Sequence, residues 1–208
     1  MSKKRIAVLV SGSGTNLQAI INQIDRGRID AEITLVISDK VNAYGLVRAK
    51  NQNIPTYLLH EDVLKDDYNQ KLLDKLQSEK IDLVVLAGYL KILPAKIIEH
   101  YRNRIINIHP SLIPSFCGKG YYGLKVHEAA IEYGVKVSGA TVHFVDEIAD
   151  HGPIILQKSL EVTNEDDPQS LQKKVLEIEY EILPETIRLF CEDRIQVEGR
   201  RVIIKQEE

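Results

Sequence analysis

Asn107 and His109 are the side chains of this sequence best placed to do chemistry. They stand two apart in the apolar run Ile105, Ile106, Ile108, which reads as a buried strand. Pro110 closes that strand, because it has no amide to give to a ladder. Period-two alternation sends both side chains out of one face. A neutral amide and an imidazole then sit together at the carboxyl end of a strand, where open α/β sheets bind ligands. The bland alternative is a core amide and a surface imidazole that only fix the turn held by Pro110 and Pro114. An acid from the turn Asp146–Asp150 completes the chemical set. An imidazolium held by a carboxylate, beside an amide donor, suits the oxyanion that grows on a carbonyl under attack. One such donor is worth roughly 3–4 kcal/mol, and general acid–base work adds on the order of 10²–10⁴ in rate.

Other chemistries find less support. The histidines at 60, 100, 109, 127, 143 and 151 show no metal-type spacing with cysteine or with one another. There is no Gly-x-Ser-x-Gly elbow, and neither Cys117 nor Cys191 has a sequence-adjacent base, so a covalent enzyme intermediate is not indicated. The class indicated is acyl transfer by direct attack.

A second element supplies an anion grip. Arg5–Ser11 is a continuous apolar strand that runs into Gly12-Ser13-Gly14-Thr15-Asn16 and then a helical pattern from Leu17 to Ile24. Bare amides and the helix dipole both face such a loop. Leu17 stands where a dinucleotide fingerprint needs its third glycine, and no Gly-Lys-Ser/Thr follows, so a single phosphate monoester fits better than a dinucleotide or a triphosphate. Asp39, closing the second strand at Glu32–Ser38, keeps the dinucleotide reading open as a ribose-binding acid. The alternative for Thr15 or Asn16 is a plain helix cap.

The elements that must position these groups alternate in type. Helices are expected over Gly45–Asn51, Tyr68–Glu79, Ala95–Tyr101 and Leu124–Tyr133, with strands at Pro55–Leu59 and Asp82–Gly88. The pattern predicts a single-domain, doubly wound, mostly parallel α/β sheet of Rossmann-like type. The loop Tyr89–Pro94 carries more apolar side chains than a surface connection needs, either to line a pocket for a flat ligand or to pack on the next helix. Ser115–Gly123 is rich in glycine and tyrosine and reads as a mobile loop beside the site. Val135–Asp146, with Gly139, Thr141, His143 and Val145 on one face, and Pro153–Val162 form an antiparallel pair. A long helix from Asp167 to Phe190 is expected to kink or split at Pro184, and Arg194–Lys205 reads as a terminal hairpin.

Length and charge set the frame. At 208 residues, with 27 basic against 30 acidic side chains and net charge −3, the chain fits one soluble domain without a nucleic-acid footprint. The run Ile6–Val10 is only five residues, short of the roughly 7–15 of a secretory core, and no stretch suits a membrane span. Two cysteines without a paired motif suggest free thiols in a reducing cytoplasm.

Five ordered motifs then carry a resemblance: Ser-Gly-Ser-Gly-Thr-Asn-Leu at 11–17, Leu-Ala-Gly-Tyr-Leu-Lys-Ile-Leu at 86–93, Asn-Ile-His-Pro-Ser-Leu-Ile-Pro at 107–114, Gly-Ala-Thr-Val-His-Phe-Val at 139–145 and Asp-His-Gly-Pro-Ile-Ile-Leu-Gln at 150–157. From Lys4 to about Phe190 the chain resembles the phosphoribosylglycinamide formyltransferase family of folate-dependent enzymes. The resemblance implies formyl transfer from 10-formyltetrahydrofolate to the glycine amine of glycinamide ribonucleotide, without a metal, in purine synthesis. It implies catalytic roles for Asn107, His109 and Asp150, with His109 as general acid and oxyanion stabiliser, kept charged by Asp150. Asp150 would also help remove the amine proton through water. Gly12, Ser13, Gly14, Thr15 and Asn16 would grip the phosphate and Glu179 would contact the nucleotide. Lys65, Leu90, Lys91, Ile92, Leu93, Asn107 and the loop Asp146, Glu147, Ile148, Ala149, Asp150 would bind folate, with Thr141 and His143 in support. Two departures stand out. The loop Cys117–Gly123 is longer than the family's common pattern, and Lys91 stands where arginine is common, so a bidentate contact becomes a point charge.

The organisation expected is a formyltransferase domain over 1–190, with a phosphate-binding half at 1–100 and a folate and catalytic half at 101–190, extended by the hairpin at 191–208. Expected partners are the two small substrates alone, with no nucleic acid or membrane, in a monomer or homodimer. The rivals are formyltetrahydrofolate hydrolase, which carries a regulatory domain before its first strand, and the tRNA and sugar-nucleotide formyltransferases. A barrel and basic surface of the tRNA enzyme do not fit this length and charge. From another class, a nonenzymatic nucleotide-binding module would use Gly12–Asn16 alone.

Overall fold

The computed structural model describes residues 3–59 and 65–206, with the side chains of residues 65 and 66 outside that set. The chain forms an α/β fold around a mostly parallel sheet of seven strands in the order β3-β2-β1-β4-β5-β6-β7, with a separate two-stranded sheet near the carboxyl end. Two compact units divide it, Met1–Ile106 and Asn107–Glu208.

In the first unit, β1 (Lys4–Val10) pairs in parallel with β2 (Ala31–Ser38) on one side and β4 (Leu83–Leu86) on the other. β2 in turn pairs with the short β3 (Thr56–Leu58). Ile6 through Val10 are wholly buried, as a strand covered on both faces requires. The crossovers are α1 (Thr15–Asp25), α2 (Tyr44–Asn51), α3 (Lys65–Ser78) and α4 (Ala95–His100). Leu17, Ile20 and Ile21 turn the apolar stripe of α1 inward, and Leu72, Leu73 and Leu76 do the same for α3.

β5 (Ile105–His109) buries Ile106 and Ile108 on one side, leaving Asn107 and His109 to the other. In the second unit, α5 (Leu124–Tyr133) precedes β6 (Val137–Phe144), which pairs antiparallel with β7 (Ile154–Glu161). The strand at β6 is shorter than the sequence suggests, so Val145 lies beyond it. α6 (Pro168–Cys191) packs on β6, β7 and α5. Its start is fixed by a capping box: Ser170 N donates to Asp167 Oδ1 at 2.7 Å, and Asp167 N donates to Ser170 Oγ at 3.0 Å.

The helix is not split at Pro184, since α6 runs unbroken from 168 to 191. An interior proline costs about 3 kcal/mol. Leu171, Val175, Ile178, Ile182, Leu183 and Ile187 are all buried on it, and each such side chain returns about 1.5–3 kcal/mol. Packing outweighs the lost hydrogen bond. β8 (Ile195–Glu198) and β9 (Arg201–Ile204) close the chain as an antiparallel hairpin, with β9 against β7.

Candidate active site

In the second unit the carboxyl end of β5 delivers Asn107 and His109 to a carboxylate. Asn107 Nδ2 donates to Asp150 Oδ1 at 3.3 Å and to His143 Nε2 at 3.1 Å. His143 Nδ1 lies 2.7 Å from the Phe144 carbonyl, which can only accept, so the proton is on Nδ1 and the Nε2 lone pair takes the Asn107 amide. His109 Nδ1 lies 3.5 Å from Asp150 Oδ2, while its Nε2 donates to the Phe116 carbonyl at 2.9 Å. Gly118 N adds a third donor to the carboxylate, 2.9 Å from Oδ2.

The electrostatics depart from the expectation that Asp150 keeps His109 charged. His109 is 4% exposed. Burial pushes its pKa below the usual histidine value, and the pull of Asp150 and the Phe116 carbonyl does not overcome it, with His143 adding to the depression. The resting imidazole is therefore neutral at neutral pH, with its proton on Nε2 and its Nδ1 lone pair toward Asp150. For Asp150, burial alone would raise the pKa, but the nearby imidazoles of His143 and His109 and the Gly118 amide together carry it below the usual carboxylate range. The pair at rest is carboxylate and neutral imidazole. One helix away, burial and the proximity of His109 push His127 down to about 4, so it too is uncharged near neutrality.

A buried frame holds this cluster. Thr141 Oγ1 donates to the Ser111 carbonyl at 2.6 Å and accepts from Ile113 N at 3.1 Å and Gln157 Nε2 at 2.9 Å, which pins the turn after His109. Asp150 takes a left-handed backbone, φ 53°, in a turn whose neighbour Gly152 has no room for a side chain: a Cβ there would lie 1.8 Å from the Phe144 carbonyl. Asp146 staples the same turn, accepting from Ile148 N at 3.0 Å and pairing with His151 Nδ1 at 2.8 Å. Glu147, Ile148 and Ala149 are exposed on it. Glu179 is buried on α6.

The first unit carries the glycine loop. Gly14, at φ 69°, is the residue that caps α1, and it supplies no side-chain cap to the helix. The reading of Thr15 or Asn16 as a cap is thus overturned, because glycine in the left-handed region makes the turn by backbone alone. Amides at the start of such a helix suit an anion. Arg48 donates to the Ser13 carbonyl at 2.8 Å and brings a cation to the loop. Asp39 does not serve a ribose: it is 2% exposed and accepts from Ser11 Oγ at 2.6 Å. Ser11 Oγ also accepts from Leu90 N at 3.0 Å, so this pair braces the segment after β4. On that segment Leu93 is buried while Leu90 and Ile92 are exposed, so part of the loop packs and part presents apolar surface. Lys91 Nζ sits 3.9 Å above the Tyr68 ring. The side chain of Lys65 lies outside the described residues.

Sequence reasoning missed Phe116, Gly118 and Arg48. The first two act through backbone atoms, which no residue type announces. Arg48 had a signal, a cation one turn into the helix that follows the second strand. Among the described residues no group of three or more histidine, cysteine or acidic side chains could hold a metal ion.

Known proteins match this arrangement along nearly the whole chain. The formyl transferase family pattern covers residues 4–187. The phosphoribosylglycinamide formyltransferase of Haemophilus influenzae is 44% identical over 93% of this chain and 90% of its own length. The chloroplastic phosphoribosylglycinamide formyltransferase of Vigna unguiculata is 40% identical over 93% of this chain, which spans 62% of that longer protein. Among solved structures, glycinamide ribonucleotide transformylase 1 from Symbiobacterium toebii is 44% identical with a TM-score of 0.90, covering 99% of this chain and 95% of that one. With the motifs, the strand order and these likenesses in agreement, the chain belongs to the formyl transferase family.

Proposed function

We propose that this formyltransferase moves the formyl group of 10-formyltetrahydrofolate to the glycine amine of glycinamide ribonucleotide, a step of purine biosynthesis. The observation that carries the reading is the cluster of Asn107, His109 and Asp150, in which the Asn107 amide donates to the carboxylate and the acceptor nitrogen of a neutral imidazole faces it at 3.5 Å. The amine attacks the formyl carbon, and Asn107 and the His109 N–H donate to the oxygen that becomes an oxyanion. The amine proton goes to Asp150 and on to His109 Nδ1. His109 Nε2–H protonates folate N10 as its bond to carbon breaks, giving the formylated amine and tetrahydrofolate. His109 Nε2 must exchange the Phe116 carbonyl for substrate, so the 115–118 turn yields when the donor binds.

The remaining assignments follow the chemistry of each element. Gly12–Asn16, with Arg48 behind it, takes the phosphate, and Glu179 contacts the nucleotide. Leu90–Leu93, Lys65 and Asp146–Asp150 take the folate. We assign residues 1–190 to the formyltransferase domain and the terminal hairpin to the same domain. Cys117 and Cys191, neither of them in a disulfide, suit a reducing cytoplasm, and no helix among the described residues is long and apolar enough to cross a membrane.

The test follows release of tetrahydrofolate from a formyl-folate by absorbance, with and without glycinamide ribonucleotide. Release only with the ribonucleotide is expected. Release at equal rate without it would make the protein a formyl-folate hydrolase instead.

A further inference from the structure

The terminal hairpin lies beyond residues 4–187 of the family match, and its turn does not stand free. Arg200, beside Gly199 at the tip of β8 and β9, donates from Nη2 to the His151 carbonyl at 2.8 Å. Its Nη1 lies 3.3 Å from His151 Nδ1 and 3.2 Å from Nε2, a near-equal approach to both ring nitrogens that sets the guanidinium over the imidazole face. His151 Nδ1 is 2.8 Å from Asp146 Oδ2 and supplies the proton there. Arg200 therefore lies on the imidazole that bonds Asp146, and the same guanidinium holds the backbone of the residue after Asp150. The hairpin base is closed in turn, with Lys205 N donating to the Arg194 carbonyl at 2.9 Å and Arg194 Nε to the Lys205 carbonyl at 2.8 Å.

We propose that Arg200 is a positioning residue for the Asp146–His151 turn, so that the hairpin sets the shape of the turn that bears Asp150 and, on the reading above, meets folate. The planar guanidinium matters, because one group both donates to a carbonyl and lies on the ring, which an ammonium does less well. The contact spans two segments of the second unit separated by an entire helix, α6, and β7, so it is not an accident of chain proximity.

The experiment compares full-length wild type, Arg200→Ala and Arg200→Lys. Expected for Arg200→Ala is a rise of about three- to tenfold in folate KM, the size of one ordinary hydrogen bond. The ribonucleotide KM should stay within about twofold and the melting temperature within a few degrees, with Arg200→Lys between. Amide hydrogen exchange at 147–151 should quicken in Arg200→Ala whatever the activity. Unchanged exchange there, or both KM values rising together as melting falls, would overturn the proposal. If wild type transfers no formyl group, the functional reading fails, and the exchange result alone then decides the role of Arg200.

Discussion

The glycine loop of the first unit and the histidine cluster of the second solve different problems with different material. The loop is built of backbone: Gly14 caps α1 without a side-chain bond, and the side chain that attends it, Arg48, holds a carbonyl. The cluster is built of side chains whose hydrogen bonds are largely occupied within the protein: Asn107 on His143 and Asp150, His109 on Phe116 and Asp150 on Gly118. A backbone site holds an anion by shape and dipole and is indifferent to most side-chain changes. A side-chain cluster depends on single atoms and on protonation. Mutation should therefore separate the two cleanly.

The largest effect is expected from His109→Ala. It removes both the donor to the oxyanion and the proton carrier, so kcat should fall by about 10²–10⁴. Binding of the ribonucleotide, measured by calorimetry with no folate present, should persist. Turnover within a factor of a few of wild type would break the contrast at its strongest point.

Gly14→Ala attacks the loop through its backbone. At φ 69° a side chain is strained, and the new Cβ would lie 2.5 Å from Gly45 Cα. Strain of this kind costs about 1–3 kcal/mol. Phosphate affinity should drop by about tenfold or more, the equivalent of 1.4 kcal/mol, and the melting temperature should fall with it, while kcat at saturating ribonucleotide stays near wild type. A loss confined to kcat would place Gly14 in the chemistry and contradict the division of labour.

How much of this was legible in the sequence follows the same division. The glycine spacing announced the loop, and Asn-x-His before proline announced the cluster, because a strand period of two and a chain breaker are local facts. Buried continuous runs such as Ile6–Val10 gave the parallel sheet for the same reason. The course of α6 was not legible, since Pro184 is a local signal and the apolar stripe that overrides it gains its energy from packing. Asp39 misled because its position fits a ribose acid while its partner, Ser11, lies at the end of a different strand. The protonation of His109 was beyond reach as well: the neighbours are in the sequence, but burial, the larger influence, is a property of the fold.

That last point gives a sharper test than activity. In the free protein the His109 imidazole should titrate, by NMR, below the ordinary histidine value of about 6.5. The Asp150 carboxylate favours the charged ring, so removing it in Asp150→Asn should carry the midpoint lower still. A wild-type midpoint above about 6.5 would mean that burial does not dominate there, and a midpoint that rises in the variant would mean that Asp150 does not favour the charged ring.

The smallest effect should come from Ser13→Ala, and it tests the comparison from the opposite side. Ser13 is exposed, and the atom in use is its carbonyl, which accepts from Arg48. The substitution keeps that carbonyl and the amide beside it. An exposed side chain with no burial to lose should change stability by no more than about 0.5 kcal/mol. If the anion is held by amides and the helix dipole, ribonucleotide KM should move by about twofold or less, and folate KM not at all. A rise of tenfold would show that the hydroxyl itself grips the phosphate. The loop would then be a side-chain site like the cluster, and the distinction between the two regions would collapse.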